Sequence, residues 1–261
     1  IRRSDRKVLG ARPPLPSVPS RAYLRARSSF WKALRSADLL LVETFAQARW
    51  MRSLGLPVAL FPGRLSDEEF ITTGGSSDGG RLIRRVQELA ATGATVVGVT
   101  GRALKGKKGT LAVVSAATRA NPHIGFVLVG TPPVPIDGDA GRVVFAGDHR
   151  LDEGAYLELL RACDLLLNVP GPGHPPLHGT GSIADAIGVR RPLITAAHLI
   201  DTDLLGFASP GPAGGGATLA REEIQAARSR AEGFDWARWS ARATVARLLS
   251  AEDRGVVRRG A

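Results

Sequence analysis

Two stretches of this 261-residue chain carry the residue types and spacing that anion chemistry needs. The first is "TGRALKGKKG", residues 100–109, in which Arg102 and Lys108 flank small residues and three of the chain's five lysines fall between 105 and 108. Such a loop, leaving a strand and opening onto a helix near Gly109, can hold a diphosphate. Arg supplies a planar fork, Lys a compact charge, and backbone N–H groups complete the cradle. It lacks the Gly-Lys-Ser/Thr ending of a Walker loop and the Gly-x-Gly-x-x-Gly spacing of dinucleotide sites. A solvated surface turn is the other reading of these residues.

The second stretch is "HGTGSIADAIGVRRPLI", residues 178–194. Gly179, Thr180, Gly181 and Ser182 leave backbone donors uncovered at the start of a short helix, where the dipole favours an anion. Asp185, one turn inside, offers two carboxylate oxygens to vicinal hydroxyls such as those of a ribose. The plainer alternative is that Ser182 is an N-cap and Asp185 its capping-box partner. His174 and His178 flank "PPL" without a second ligand at metal-site spacing, and read as hydrogen-bonding or exposed. No Gly-x-Ser-x-Gly elbow occurs, and the lone Cys163 lies within apolar "RACDLLLNV". Nucleophilic hydrolysis, a disulfide framework and a multi-cysteine metal site are all unsupported, and a reducing compartment is implied.

The elements that must position these loops follow from apolar patterning. "DLLLV" (38–42), a helical "ETFAQARWMRSLG" and "PVALF" read as strand, helix, strand, and the Gly, Ser and Asp-rich stretch 63–80 as a linker. A helix at 81–92 then precedes a strand at 94–100. Further strands are expected at 124–130, 142–147, 164–169 and 192–196, with a helix over "LDEGAYLELLRAC" and the short helix from Ser182 between them. Strands apolar throughout and separated by helices imply an α/β fold, a Rossmann-like parallel sheet covered on both faces. Ligands of such sheets sit beyond the carboxyl ends of the strands, which is where both loops fall.

The formal charge is +11, and residues 1–35 hold ten Lys or Arg against one acid, Asp5. This Pro-rich leader reads as a solvated tail or a contact for anionic lipid. Without interleaved aromatic residues it gives no sign of specific nucleic-acid binding. No apolar run reaches the roughly 18–20 residues of a membrane span and no signal-peptide pattern occurs. The expected location is cytoplasmic, with peripheral contact at the inner face of a membrane as an extension. A start at Ile1 rather than Met suggests a fragment or a processed chain.

Together these pieces resemble the C-terminal, donor-binding half of a GT-B glycosyltransferase, near the large retaining group called family 4 or "group 1". The likeness rests on five stretches. They are "VGVTGRALKGKKGTLAVVSAATRANPHIGFVLVG", "RVVFAGDHRLDEGAYLELLRACDLLLNVP", "GTGSIADAIGVRRPLIT", "GFDWARWSARATVARLL" and, upstream, "SSFWKALRSADLLLVETFAQARWMRSLGLPVALFPGRL". It covers about residues 28–250. It implies a remnant of an acceptor-side domain at 1–62, a linker at 63–80, a donor domain at 81–233 and a closing helix and tail at 234–261. By this resemblance Arg102 and Lys108 bind the donor diphosphate and act on its departure, with Gly101 and Lys107, or Lys105, beside them. Gly179 to Ser182 present amides to the same phosphates, and Asp185 holds the ribose in the place of the family's second motif glutamate. The donor is a nucleotide-diphosphate sugar, the acceptor a glycan or a lipid-linked sugar, and neither metal nor other cofactor is called for. One departure is marked: eight positions before Asp185, where the family has a sugar-contacting glutamate, stands Leu177. Either His178 or His174 then takes over a hydroxyl contact, the donor sugar is unusual, or the protein binds nucleotide sugar poorly; a non-catalytic nucleotide-sugar binder is one alternative function. A nucleotide-sugar epimerase of the same fold is a further alternative.

Overall fold

The structure is a computed structural model that describes residues 21–42, 45–60, 77–100, 108–131, 133–136, 140–147, 151–168, 181–196, 200, 206–211 and 219–250. The chain divides into two compact units, the smaller taking its described residues from 21–60 and 242–250, the larger from 77–241.

In the smaller unit, helix α1 (Arg21–Arg35) leads to strand β1 (Leu40–Val42), helix α2 (Phe45–Ser53) and strand β2 (Val58–Leu60). The two strands pair in parallel, with Leu40 opposite Val58. Their core is Val42, Ala48, Met51, Leu56 and Val58, against which Trp31, Leu34 and Trp50 pack. Trp31 and Trp50 meet edge to face with centroids 6.1 Å apart. The basic leader is therefore not a solvated tail throughout. Its last fifteen residues are helical, because Trp31 and Leu34, spaced three apart, bury one side of an otherwise charged segment.

In the larger unit, helix α3 (Ser77–Ala91) precedes strand β3 (Thr95–Val99), helix α4 (Lys108–Ala120) and strand β4 (Ile124–Leu128). A 3₁₀ turn over Ala140–Arg142 leads to strand β5 (Val143–Phe145), helix α5 (Glu153–Arg161) and strand β6 (Leu165–Asn168). Helix α6 (Gly181–Val189), strands β7 (Leu193–Thr195) and β8 (Ala208–Pro210) and helix α7 (Arg221–Glu232) follow. A second 3₁₀ turn over Trp236–Trp239 runs into helix α8 (Ala241–Leu249), which counts with the smaller unit from Arg242 on. Helix α3 opens four residues inside the stretch expected as linker, so residues 77–80 are helical; 61–76 lie outside the described residues.

The six strands form one parallel sheet in the order β5-β4-β3-β6-β7-β8. Helices cover both faces, as the fully apolar strands require. On one face Val97, Val99, Phe126, Leu128, Leu165, Leu167 and Ile194 pack against Val113, Val114 and Ala117 of α4 and Ile224 and Ala227 of α7. On the other, α3 reaches β4 so closely that a Cβ at Gly125 would lie 2.4 Å from Leu89 Cδ2 and 2.7 Å from its Cγ. Only a glycine admits that approach.

Strand β6 is pinned to β3 by Asp164, whose N–H donates to the Val96 carbonyl at 2.8 Å while its Oδ2 accepts from Val96 N at 2.8 Å. The Arg142 guanidinium donates to the carbonyls of Thr118, Asn121 and Ile124, closing the C-terminus of α4, where a cation is favoured. The closing segment folds Phe234 and Trp236 onto buried Phe207, with ring centroids 4.9 and 5.1 Å away.

Candidate functional site

In sequence terms the sheet reads third, second, first, fourth, fifth, sixth strand, which is the order of a doubly wound fold. Strands β3 and β6 are therefore neighbours, yet the chain leaves β3 toward β4 and β5 and leaves β6 toward β7 and β8. The two connections diverge at the carboxyl ends, the topological switch point at which sheets of this kind bind ligands. Residues 100–109 follow β3, and residues 169–180 join β6 to α6, so both stretches singled out by residue type lie on the connections that leave these two strands.

Thr100, fully buried, fastens the exit of β3 in two directions. Its N–H donates to the Leu167 carbonyl on β6 at 3.2 Å, and its hydroxyl makes a short hydrogen bond to the Ser182 hydroxyl in the first turn of α6. That buried bond joins residues 82 positions apart and holds the start of α6 against the end of β3.

Helix α6, "GSIADAIGV", is buried at every residue from Ser182 to Val189, and only Gly181 at its head is exposed. It ends in a Schellman motif: Arg190 takes the left-handed conformation (φ 54°), its N–H bonds Ile187 O, and the Arg191 N–H bonds Ala186 O. Pro192 then prevents continuation. At the other end, Gly181 does not adopt a positive φ, and a Cβ built there meets no atom of the described residues within 4 Å. Neither its backbone conformation nor its packing against the described residues demands glycine at 181. A glycine there adds no side chain to the exposed head of the helix.

Asp185 is 7% exposed, four residues into α6, or about 6 Å along its axis from Gly181. A buried carboxylate needs donors. One is the Tyr156 hydroxyl on α5, which donates to Asp185 Oδ2 at 2.6 Å.

Of the residues expected at the site, Lys108 opens α4, Gly181 opens α6, and Ser182 and Asp185 lie buried along α6. Helix α4 starts one residue before the expected Gly109. Helix α6 starts at Gly181, so Ser182 stands within the helix and not at the N-cap, and its hydroxyl reaches across to Thr100. Gly101, Arg102, Lys105, Lys107, His174, Leu177, His178, Gly179 and Thr180 lie outside the described residues. The sequence reading missed Thr100 and Tyr156. Thr100 headed the quoted loop, but nothing in the pattern paired it with Ser182; Tyr156 had no signal beyond its place in an amphipathic helix.

Cys163 is buried, and its thiol is pushed up to about 12, first by burial and then by the neighbouring Asp164 carboxylate, with Arg191 opposing. It is a packing residue with no nucleophilic character near neutrality. Among the described residues no group of three His, Cys, Asp or Glu converges, and no helix is long and apolar enough to cross a membrane.

No family model matches the sequence, and no curated protein matches it. Solved structures do. The N-terminal domain of trehalose-6-phosphate phosphatase from Candida albicans superposes with a TM-score of 0.51 at 15% identity, over 92% of this chain and 63% of that one. An alpha,alpha-trehalose-phosphate synthase (UDP-forming) from Burkholderia vietnamiensis gives 0.48 at 16% identity, over 92% and 62%. HepE from Anabaena in complex with UDP and glucose gives 0.48 at 19%, over 89% and 67%. The first likeness is one of fold: an α/β chain with a parallel sheet flanked by helices. This chain spans about 62–63% of the length of the first two.

Proposed function

We propose that a crevice beyond the carboxyl ends of β3 and β6 binds the diphosphate and ribose of a nucleotide-sugar donor, and that the protein transfers the sugar to an acceptor hydroxyl with retention, as a GT-B glycosyltransferase of the family 4 kind. The observation that carries this reading is the α6 terminus. An exposed glycine, with no positive φ and no described residue within 4 Å of its Cβ position, heads a buried helix, beside the exit of β3 and one turn above a buried carboxylate.

On this reading Arg102 and Lys108, with Gly101 and Lys107 beside them, gather the diphosphate from the β3 side, and the amides of Gly179, Thr180, Gly181 and Ser182 meet it from the α6 side. Asp185 accepts hydrogen bonds from the ribose hydroxyls. The bond that breaks joins the anomeric carbon to a diphosphate oxygen, the bond that forms joins that carbon to the acceptor oxygen on the same face, and the acceptor's hydroxyl proton passes to the departing diphosphate. Charge grows on the departing diphosphate, so donors fixed in advance around it bind the transition state better than the ground state. The two cations carry the charge that a divalent metal carries at other diphosphate sites. The acceptor is a glycan or a lipid-linked sugar in glycan or glycolipid synthesis, met in the cytoplasm or at the inner face of a membrane. His178 supplies a sugar contact that Leu177 does not.

Leu177 also favours a second reading, a nucleotide-sugar binder without turnover. Thermal unfolding of the chain with a panel of nucleoside diphosphates and nucleotide sugars tests the common part, because a ligand of the folded state raises its melting point. A rise with a diphosphate nucleotide, weakened in Arg102→Ala and in Asp185→Ala, supports the site. No rise with any of them, in a folded chain, removes it. Release of free nucleoside diphosphate from the best donor then separates transfer from binding.

A further inference from the structure

Helix α5 begins at a firmly built cap. Asp152 at the N-cap accepts from Ala155 N at 2.8 Å through Oδ1, and its carbonyl accepts from Tyr156 N at 3.0 Å. Tyr156 thus projects from a first turn whose conformation is set from two sides. At the far end of the same helix, Arg191, just past α6, donates through Nε and Nη2 to the Arg161 carbonyl at 3.2 and 2.6 Å. Helices α5 and α6 are therefore tied at two places: Arg191 to the end of α5, and the Tyr156 hydroxyl to Asp185 Oδ2 at 2.6 Å.

An aspartate carboxylate, on a single methylene, rotates about its last torsion within a broad well, and its acceptor directions turn with it. A phenol O–H bonded to one oxygen fixes that rotation. Carboxylate oxygens accept more than one hydrogen bond each, so a bond from Tyr156 orients Asp185 without exhausting it. Tyr156 comes from a different helix whose own position is set by cap and tether, so the orientation is imposed by the fold. The bond is not needed to form α6, whose C-terminus is closed by the Arg190 and Arg191 N–H groups and whose start is held by Thr100.

Resting on the donor-site reading above, we infer that Tyr156 is a positioning residue: by fixing the Asp185 carboxylate it sets the protein's preference for a ribose with both vicinal hydroxyls. Tyr156 does not touch the donor. Its effect passes through Asp185, and so falls on the sugar part of the nucleotide and spares the diphosphate.

The test measures the affinity of the chain for the best-bound of UDP, GDP and ADP and for its 2′,3′-dideoxy counterpart. Wild type, Tyr156→Phe, Asp185→Asn and the double variant are compared, each checked for folding by its melting point. Phe keeps the ring and removes only the hydroxyl. The wild type is expected to prefer the ribonucleotide by about tenfold, and Tyr156→Phe to reduce that preference to about two- to threefold with dideoxynucleotide affinity unchanged. In the Asp185→Asn background, Tyr156→Phe is expected to add nothing. A wild type that binds the diphosphate with a ribose preference that survives in Tyr156→Phe overturns the role of Tyr156 alone. Equal weakening of both ligands in Tyr156→Phe overturns it too, by showing a merely structural role. A folded wild type that binds no nucleoside diphosphate overturns the donor site, and this assignment with it.

Discussion

Gly181→Ala separates the needs of the fold from those of a ligand, because the two predict effects of opposite sign. The φ of Gly181 is outside the left-handed region and the added Cβ meets no atom of the described residues within 4 Å, so alanine is expected to fit there without strain. Replacing a compatible glycine by alanine stabilises by about 0.4–1 kcal/mol, through lost freedom of the unfolded chain. For a unit of this size that is a rise of about 1–4 °C in melting point. A phosphate oxygen bonded to the first amides of α6 sits about 2.9 Å from nitrogen, and a methyl group on the exposed head of the helix crowds that approach. Nucleoside diphosphate affinity is expected to fall about tenfold or more, the equivalent of about 1.4 kcal/mol. Differential scanning fluorimetry and isothermal titration calorimetry on the same preparation give both quantities. Unchanged affinity in the stabilised variant would refute the placing of a ligand at this terminus; a lowered melting point would refute the claim that the space above Gly181 is open.

Three further outcomes follow from the packing of the larger unit. In a double-mutant cycle of Thr100→Val and Ser182→Ala, followed by urea unfolding, the shared bond gives a coupling of about 1 kcal/mol, and additive effects would contradict it. Gly125→Ala forces a methyl into Leu89 and is expected to destabilise by about 1–3 kcal/mol. Adding Leu89→Ala should cost less than the sum of the two single changes, and full additivity in calorimetric unfolding would count against the clash. The Cys163 thiol is held protonated well above its ordinary value of 9.0, so it resists thiol reagents at pH 8 until the chain unfolds. The unfolded thiol ionises near 9 and the folded one near 12, so stability from this group is whole below pH 9 and declines as pH rises toward 12. Cys163→Ala should flatten that part of a pH–stability curve, and rapid labelling of native protein would contradict the burial.

The central sheet was legible because its strands are continuous apolar runs, and five of its six were expected within a residue or two of where they lie. Strand β8 was not, for it is only Ala208–Pro210 at the sheet edge, with a polar Ser209 and a proline that an edge strand tolerates. Helix α7 hides its buried side in Ile224, Ala227 and Ala231 among charged neighbours, and α1 hides Trp31 and Leu34 in a basic run. Of the site, the glycines and Asp185 could be read locally because a helix start has a composition of its own. The bonds that build it could not. Thr100 with Ser182 and Tyr156 with Asp185 are 82 and 29 residues apart, and only the strand order that sets β3 beside β6 and α5 beside α6 brings them together.

The most direct test of the donor site is amide hydrogen exchange of the chain with and without a saturating nucleoside diphosphate. Binding at the crevice predicts slowed exchange over residues 100–109 and 178–186, with Tyr156 and its neighbours following and the groove beside β8 and α7, lined by Ser209, Glu222 and Arg230, unchanged. Slowed exchange in that groove instead, or nowhere in the folded chain, would contradict the account.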